Sequence, residues 1–240
     1  MLLAMPTVTY ALEGGIATIS LDDGKVNALS SSTLSELHNA LDEAERDGAV
    51  TIVQGRTGYL SAGFDLNVFG EGVEQVLEML TLGATLAERM LSFKTPVVVA
   101  CSGHAVAAGS FLALAADARI GAEGPFRIGL NEVEIGLTVP WFAIELARYR
   151  LAPAHFDTAV LSAQMHSPAE AVAAGFLDRV VPAELLAETS MEVAQKLSQL
   201  DMRAHAASKP RVRGEVLKRL RWAIETELTA EGLGAAQADS

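Results

Sequence analysis

Apolar and polar residues alternate at the start of the chain, with Val8, Tyr10 and Leu12 on one face. Period two predicts a half-buried strand. Glu13-Gly14-Gly15 then turns the chain into a second such run, Ile16–Leu21, so the chain is predicted to open on a hairpin. After a loop at Asp22–Lys25 the period changes. Leu34, Leu37, Leu41 and Ala44 recur at helical spacing, Thr33 and Glu36 offer a capping box, and Gly48 offers a stop. Thr51–Val53 predicts a short buried strand, and residues 54–65, with three glycines, a loop. Val73, Val76, Leu77 and Leu80 predict a helix to about Leu91. Pro96 introduces Val97–Ala100, a continuous apolar run of the kind buried on both faces of a sheet. Ala107–Ala116 reads as a helix, Ala118–Ile120 and Phe126–Ile128 as short strands, and Pro140 as the first residue of another helix. Ser167-Pro168-Ala169-Glu170 is a capping box with proline in the first turn, Gly175 a stop, and Leu177–Val181 a strand closed by Pro182. Helices over about 183–199 and 210–229 follow, and the tail 230–240 has no apolar stripe. Strands alternating with helices indicate an α/β chain whose last third is helical.

Composition narrows the function class. Half of the 240 residues are apolar and a fifth charged, a globular balance. A net charge of −12 argues against nucleic acid as a partner. Cys101 is the one cysteine, so no internal disulfide forms and a reducing compartment fits. Met1–Ala4 lacks a basic leader, and the weakly polar run Ala105–Ala116 is too short for a membrane span, so a cytoplasmic protein is expected. The five histidines share no metal-ligand spacing, and no metal site is expected. Against the acidic total, Arg203, Lys209, Arg211, Arg213, Lys218, Arg219 and Arg221 crowd together. They read either as a solvated helix face or as a landing site for an anionic ligand.

One carboxylate stands out. Glu132 lies in FRIGLNEVEIGLTVP, residues 126–140, downstream of two small-residue segments, SAGFDL (61–66) and GHAVAAGSF (103–111). Small residues let backbone N–H groups approach a ligand closely, and such groups can hold an acyl oxygen as it becomes an enolate while a carboxylate moves the proton. Asp65 reads as an N-cap, Cys101 and His104 as packing residues, and Asp22, Asp23 and Asp117 as turn or strand-edge residues.

The segments Lys25–Leu29 (KVNAL), Ser61–Leu66 (SAGFDL), Gly103–Gly109 (GHAVAAG) and Ile128–Glu132 (IGLNE) stand in the order and spacing of the crotonase superfamily, the enoyl-CoA hydratase/isomerase family. The chain resembles that family from about residue 8 to about 200, and GLNE followed by GLTVPWF is most similar to the mitochondrial-type Δ3,Δ2-enoyl-CoA isomerases. The resemblance implies a spiral ββα acyl-CoA-binding core, placed at residues 1–190, and a C-terminal helical trimerisation region, 191–240, in a homotrimer or hexamer. It implies an acyl-CoA thioester as substrate, coenzyme A being part of the substrate and no separate cofactor being used. Glu132 would be the base, and the backbone N–H groups of Phe64 and Ala108 the oxyanion hole. Lys25, Val26, Ala28, Ser61, Ala62, Asp65, Leu66, Gly109, Phe111 and Pro140 would line the substrate site. Phe111 stands where the family's hydratases carry a further polar catalytic position, which points to isomerisation of 3-enoyl-CoA to 2-trans-enoyl-CoA. Hydration would need a partner for Glu132, with Glu134 and Glu145 nearest in sequence. Phe64 stands where the family has a small residue. A ring filling the acyl tunnel there would leave a catalytically silent protein.

Overall fold

The computed structural model describes residues 6–232. In chain order its elements are β1 (Val8–Glu13), β2 (Ile16–Leu21), β3 (Ala28–Leu29), α1 (Ser31–Asp47), β4 (Val50–Gln54), β5 (Gly58–Ser61), β6 (Gly63–Phe64), α2 (Val73–Ser92), β7 (Val97–Cys101), β8 (Gly103–Val106), α3 (Ala108–Ala115), β9 (Ala118–Ala122), β10 (Ile128–Gly129), α4 (Trp141–Arg150), α5 (Pro153–Leu161), α6 (Pro168–Ala174), β11 (Arg179–Val181), α7 (Leu186–Ser198) and α8 (Met202–Glu227).

A pattern repeats along this order: a long strand, a short strand, then a helix. The long strands enter a six-stranded sheet ordered β1-β2-β4-β7-β9-β11, in which only the β1–β2 hairpin is antiparallel. The short strands build two small parallel sheets, β10-β8-β5 and β3-β6. Four ββα turns thus stack into a spiral, the architecture that the motif resemblance implies. Val97, Val99 and Cys101 point from the central strand β7 into the main core, while Val98 and Ala100 point into a second apolar cluster. Helix α7 covers that second face, packing across β4, β7 and β9 and contributing Leu186 and Ala194. Burial on both sides explains the unbroken apolar run. The boundary drawn between residues 190 and 191 falls inside α7.

Several boundaries differ from the sequence reading. Ser30, not Thr33, caps α1, its hydroxyl accepting the Thr33 N–H, and Glu36 instead accepts the Val8 N–H at 2.9 Å, tying helix to hairpin. The segment read as a loop over 54–65 contains β5 and β6, too short to show a period. Pro140 is the N-cap of α4 and not its first residue, and α5, with Pro153 in its first turn, had no counterpart in the sequence reading. Helix α8 begins eight residues before Pro210, at the Asp201 cap, and carries the proline inside. The proline removes one backbone bond, to the Ala206 carbonyl, but tertiary anchors on either side of it hold the helix. The tail read over 230–240 lies mostly outside the described residues. Among the described residues no helix is long and apolar enough to cross a membrane.

Candidate active site

The short strands bring the small-residue segments together. In the β3–β6 pair Ala28 stands beside Gly63 and Leu29 beside Phe64. Below it Ala62 N–H donates to Val26 O (3.0 Å), and above it Asp65 N–H donates to Leu29 O (3.2 Å). Gly63 has φ +101°, a conformation that favours glycine, and a methyl group there would lie 3.0 Å from Ala107 Cβ and 3.4 Å from Ala108 N. The strand carrying Phe64 therefore abuts the start of α3. Ala108 is the first residue of that helix, where N–H groups have no preceding turn to accept them and the helix dipole favours negative charge. Ala107, just before it, is held at φ 49°, ψ −121°, a strained setting for a residue with a Cβ. Its N–H donates to Gly129 O at 2.9 Å, and the Ser110 hydroxyl bonds Ala105 O and the same Gly129 O. Gly109 admits the Ser61 carbonyl, which would lie 2.2 Å from any Cβ at that position.

Gly129 ends β10, and Glu132 follows three residues later at the head of a short 3-10 turn, Val133–Ile135. Its side chain is buried (residue 7% exposed), and Oε2 has no hydrogen-bond partner among the described residues. Burial pushes its pKa from 4.5 up to about 7, against a smaller opposing effect of its own backbone N–H. The other two glutamates of this stretch are engaged elsewhere. Glu134 is exposed and faces Arg127, and Glu145 pairs with Arg148 and Arg219. Phe111 is buried with its ring edge-on to Phe142 (centroids 5.5 Å) and to Phe64 (6.4 Å). The Phe64 ring is received by α2 at Gly83, where a Cβ would come within 2.5 Å of it.

Lys25, Val26, Ala62 and Leu66 are exposed, Ala28, Asp65 and Pro140 half-buried. Asp65 caps the 3-10 turn Leu66–Gly70 by accepting the Asn67 N–H. Ser61 is fully buried and its hydroxyl is committed, donating to Asn27 O at 2.6 Å and accepting Gly63 N–H. Cys101 is buried, its thiol pushed up to about 12. His104 packs between Tyr59 and Phe126, its Nδ1 accepting Arg127 N–H. Among the described residues no three His, Cys, Asp or Glu side chains gather as a metal-binding group.

Both readings of the basic cluster fail at its centre. Lys209 and Arg213 are buried against Asp117, each at 2.8 Å, and they also donate to the carbonyls of Phe93, Thr95 and Leu91. They face neither solvent nor a ligand. Asp117 also accepts Val97 N–H at 2.7 Å, so it is a buried junction rather than a strand-edge residue. Asn27 was quoted only as part of a motif. It sits fully buried at φ 56°, which asparagine tolerates, and its side chain bonds Leu21 O, Leu60 O and Asp23 N–H. It holds the 25–28 segment against β5.

Comparison with known proteins agrees with this fold. The sequence profile of the enoyl-CoA hydratase/isomerase family matches residues 11–235. A solved enoyl-CoA hydratase/isomerase family protein from Pseudomonas syringae is 48% identical and superposes with a TM-score of 0.91, over 92% of this chain and 96% of its own. A probable enoyl-CoA hydratase of Bacillus subtilis is 35% identical over 58% of this chain, a match spanning 55% of that relative's length. The mitochondrial enoyl-CoA delta isomerase 1 of Homo sapiens is 28% identical over 86% of this chain and 70% of its own. With the ββα spiral and the profile match across nearly its whole length, the chain belongs to the enoyl-CoA hydratase/isomerase family.

Proposed function

We propose that the protein isomerises a 3-enoyl-CoA to the 2-trans-enoyl-CoA with Glu132 as the single base. The thioester oxygen binds between the N–H groups of Phe64 and Ala108. Glu132 removes a proton from C2, the electrons move onto the thioester oxygen as an enolate, and the proton returns at C4. Each oxyanion donor contributes about 2.7–4 kcal/mol in the transition state. A carboxyl at about 7 is matched to giving and taking a proton near neutral pH. Coenzyme A is part of the substrate, running along Lys25–Ala28 and Ser61–Leu66, and no other cofactor enters the scheme.

The observation that carries isomerisation over hydration is Phe111. Hydration needs a second polar group to hold and activate water, and position 111 is a buried phenyl ring inside an aromatic cluster. The competing reading is enoyl-CoA hydration, which the name of the Bacillus relative keeps in play. A silent acyl-CoA-binding protein is less supported, because the Phe64 ring has a seat at Gly83. Product analysis on 3-hexenoyl-CoA and 2-hexenoyl-CoA side by side separates the three. Isomerisation converts the first without adding water, hydration converts the second to the 3-hydroxy product, and a silent protein turns over neither. The family pattern also supports a closed trimer or a pair of trimers, for which mass in solution is the test.

A further inference from the structure

Helix α3 has eight residues, AGSFLALA, all of them buried. Its apolar contacts are non-directional and would tolerate a small slide or roll of the helix. Directional contacts must set its position, and Ser110 is its one polar side chain, anchoring the N-terminal end through Ala105 O and Gly129 O. The other end is held from outside. Arg150, the last residue of α4, donates Nε to Leu114 O at 2.8 Å and Nη2 to Ala116 O. These are carbonyls of the last turn, which lack partners within the helix. The planar fork spans two acceptors two residues apart, which a lysine ammonium cannot match. A cation at this end also complements the helix dipole.

We propose that Arg150 is a positioning residue for the reaction: by gripping the C-terminal carbonyls of α3, it sets where the Ala108 N–H points. The inference rests on the reading of that N–H as an oxyanion donor. Arg150 does not touch the substrate. At ~1.5 Å per residue, its contacts lie about 9–12 Å along the helix from Ala108. Burial, with Arg119 and Arg213 nearby, lowers the guanidinium to about 10, so it remains charged at neutral pH.

The test compares wild type with Arg150→Met and Arg150→Lys. Turnover of a 3-enoyl-CoA is measured together with the absorption of a bound aminocinnamoyl-CoA thioester, whose conjugated carbonyl shifts to the red when its oxygen is hydrogen-bonded. Complete loss of one oxyanion donor costs roughly 10²–10³ in kcat, so partial misalignment should lower kcat about tenfold in Arg150→Met. KM should stay within about twofold, because binding along the CoA site is untouched. The red shift should shrink in step with kcat, and Arg150→Lys should fall between the two. A purely structural role would lower the folded fraction and leave the red shift per bound probe unchanged, which overturns the proposal. If Arg150→Met does not fold, Arg150→Lys decides on the same readouts, and wild-type kcat and red shift in it are equally fatal. A wild-type protein that binds the thioester with no red shift removes the oxyanion reading, and this inference with it. A wild-type shift kept in full by both variants removes this inference alone.

Discussion

Replacing Glu132 by glutamine should pull apart two properties that the buried carboxyl joins. Glutamine has the same shape but cannot take up the proton, so turnover should fall at least about a hundredfold with acyl-CoA affinity little changed. Stability should move the other way, in a pH-dependent manner. In the folded protein the carboxyl titrates at about 7, against 4.5 for a free glutamate. Below pH 4.5 it is protonated in both states and contributes no difference. Between 4.5 and 7 the folded state holds the proton more tightly than the unfolded state, so wild-type stability falls as pH rises. Above 7 the ionised group is buried without a donor on Oε2, and the full penalty applies. At 1.36 kcal/mol per pKa unit this amounts to roughly 3 kcal/mol. Glu132→Gln escapes it, so its stability relative to wild type should grow from pH 4.5 to 7 and then level off. For a chain of this length that corresponds to roughly 6–12 °C in Tm. Thermal denaturation of both proteins across pH 4.5–8 measures the change, and the wild-type kcat/KM should rise through about pH 7 as the base ionises. A stability difference that does not vary with pH would refute burial as the cause of the shift. Retention of most activity would remove Glu132 from the mechanism.

Asp117→Asn leaves Lys209 and Arg213 buried without their counter-charge and should cost about 3–5 kcal/mol in urea denaturation. The KM of the remaining folded enzyme should not change. A raised KM with unaltered stability would restore the idea that the cluster receives an anionic ligand. Gly83→Ala drives a methyl group to 2.5 Å from the Phe64 ring. It should cost about 1–3 kcal/mol and lower kcat if the displaced ring carries the Phe64 strand with it. A variant neutral in both denaturation and turnover would show that the ring is not held at Gly83.

Legibility divided along physical lines. The long strands and amphipathic helices were readable because each has enough residues to show a period. Val97–Cys101 and the stripe Leu34, Leu37, Leu41 and Ala44 are examples, and both lie where the pattern puts them. The Ser167–Glu170 capping box and the Gly175 stop were readable because their chemistry is local. Most short strands were not, since two residues such as Gly63–Phe64 carry no period at all, and of the strand read at Phe126–Ile128 only Ile128 lies in β10. Pro210 misled for a related reason. Proline marks a helix start by local rule, but α8 is fastened by contacts with residues far upstream.

The same division runs through the site. Phe64, Ala108 and Glu132 could be named because their segments carry the motifs of a known family, each a short local run of residues. The residues that put them in register could not, because each acts across a long stretch of chain. Asn27 ties its loop to Leu60, 33 positions on, and Arg150 reaches back 36 positions to Leu114. Lys209 meets Asp117 across 92 positions. The short strands β3, β6, β8 and β10 pair in the register that sets Gly63 against Ala107 and Gly129 against the head of α3. Glu132 lies three residues beyond Gly129, whose carbonyl accepts the Ala107 N–H at the head of α3. Its raised pKa comes from burial, with Oε2 unpaired among the described residues. A substitution that opens Glu132 to solvent should lower its pKa toward 4.5, which the pH profile of kcat/KM measures.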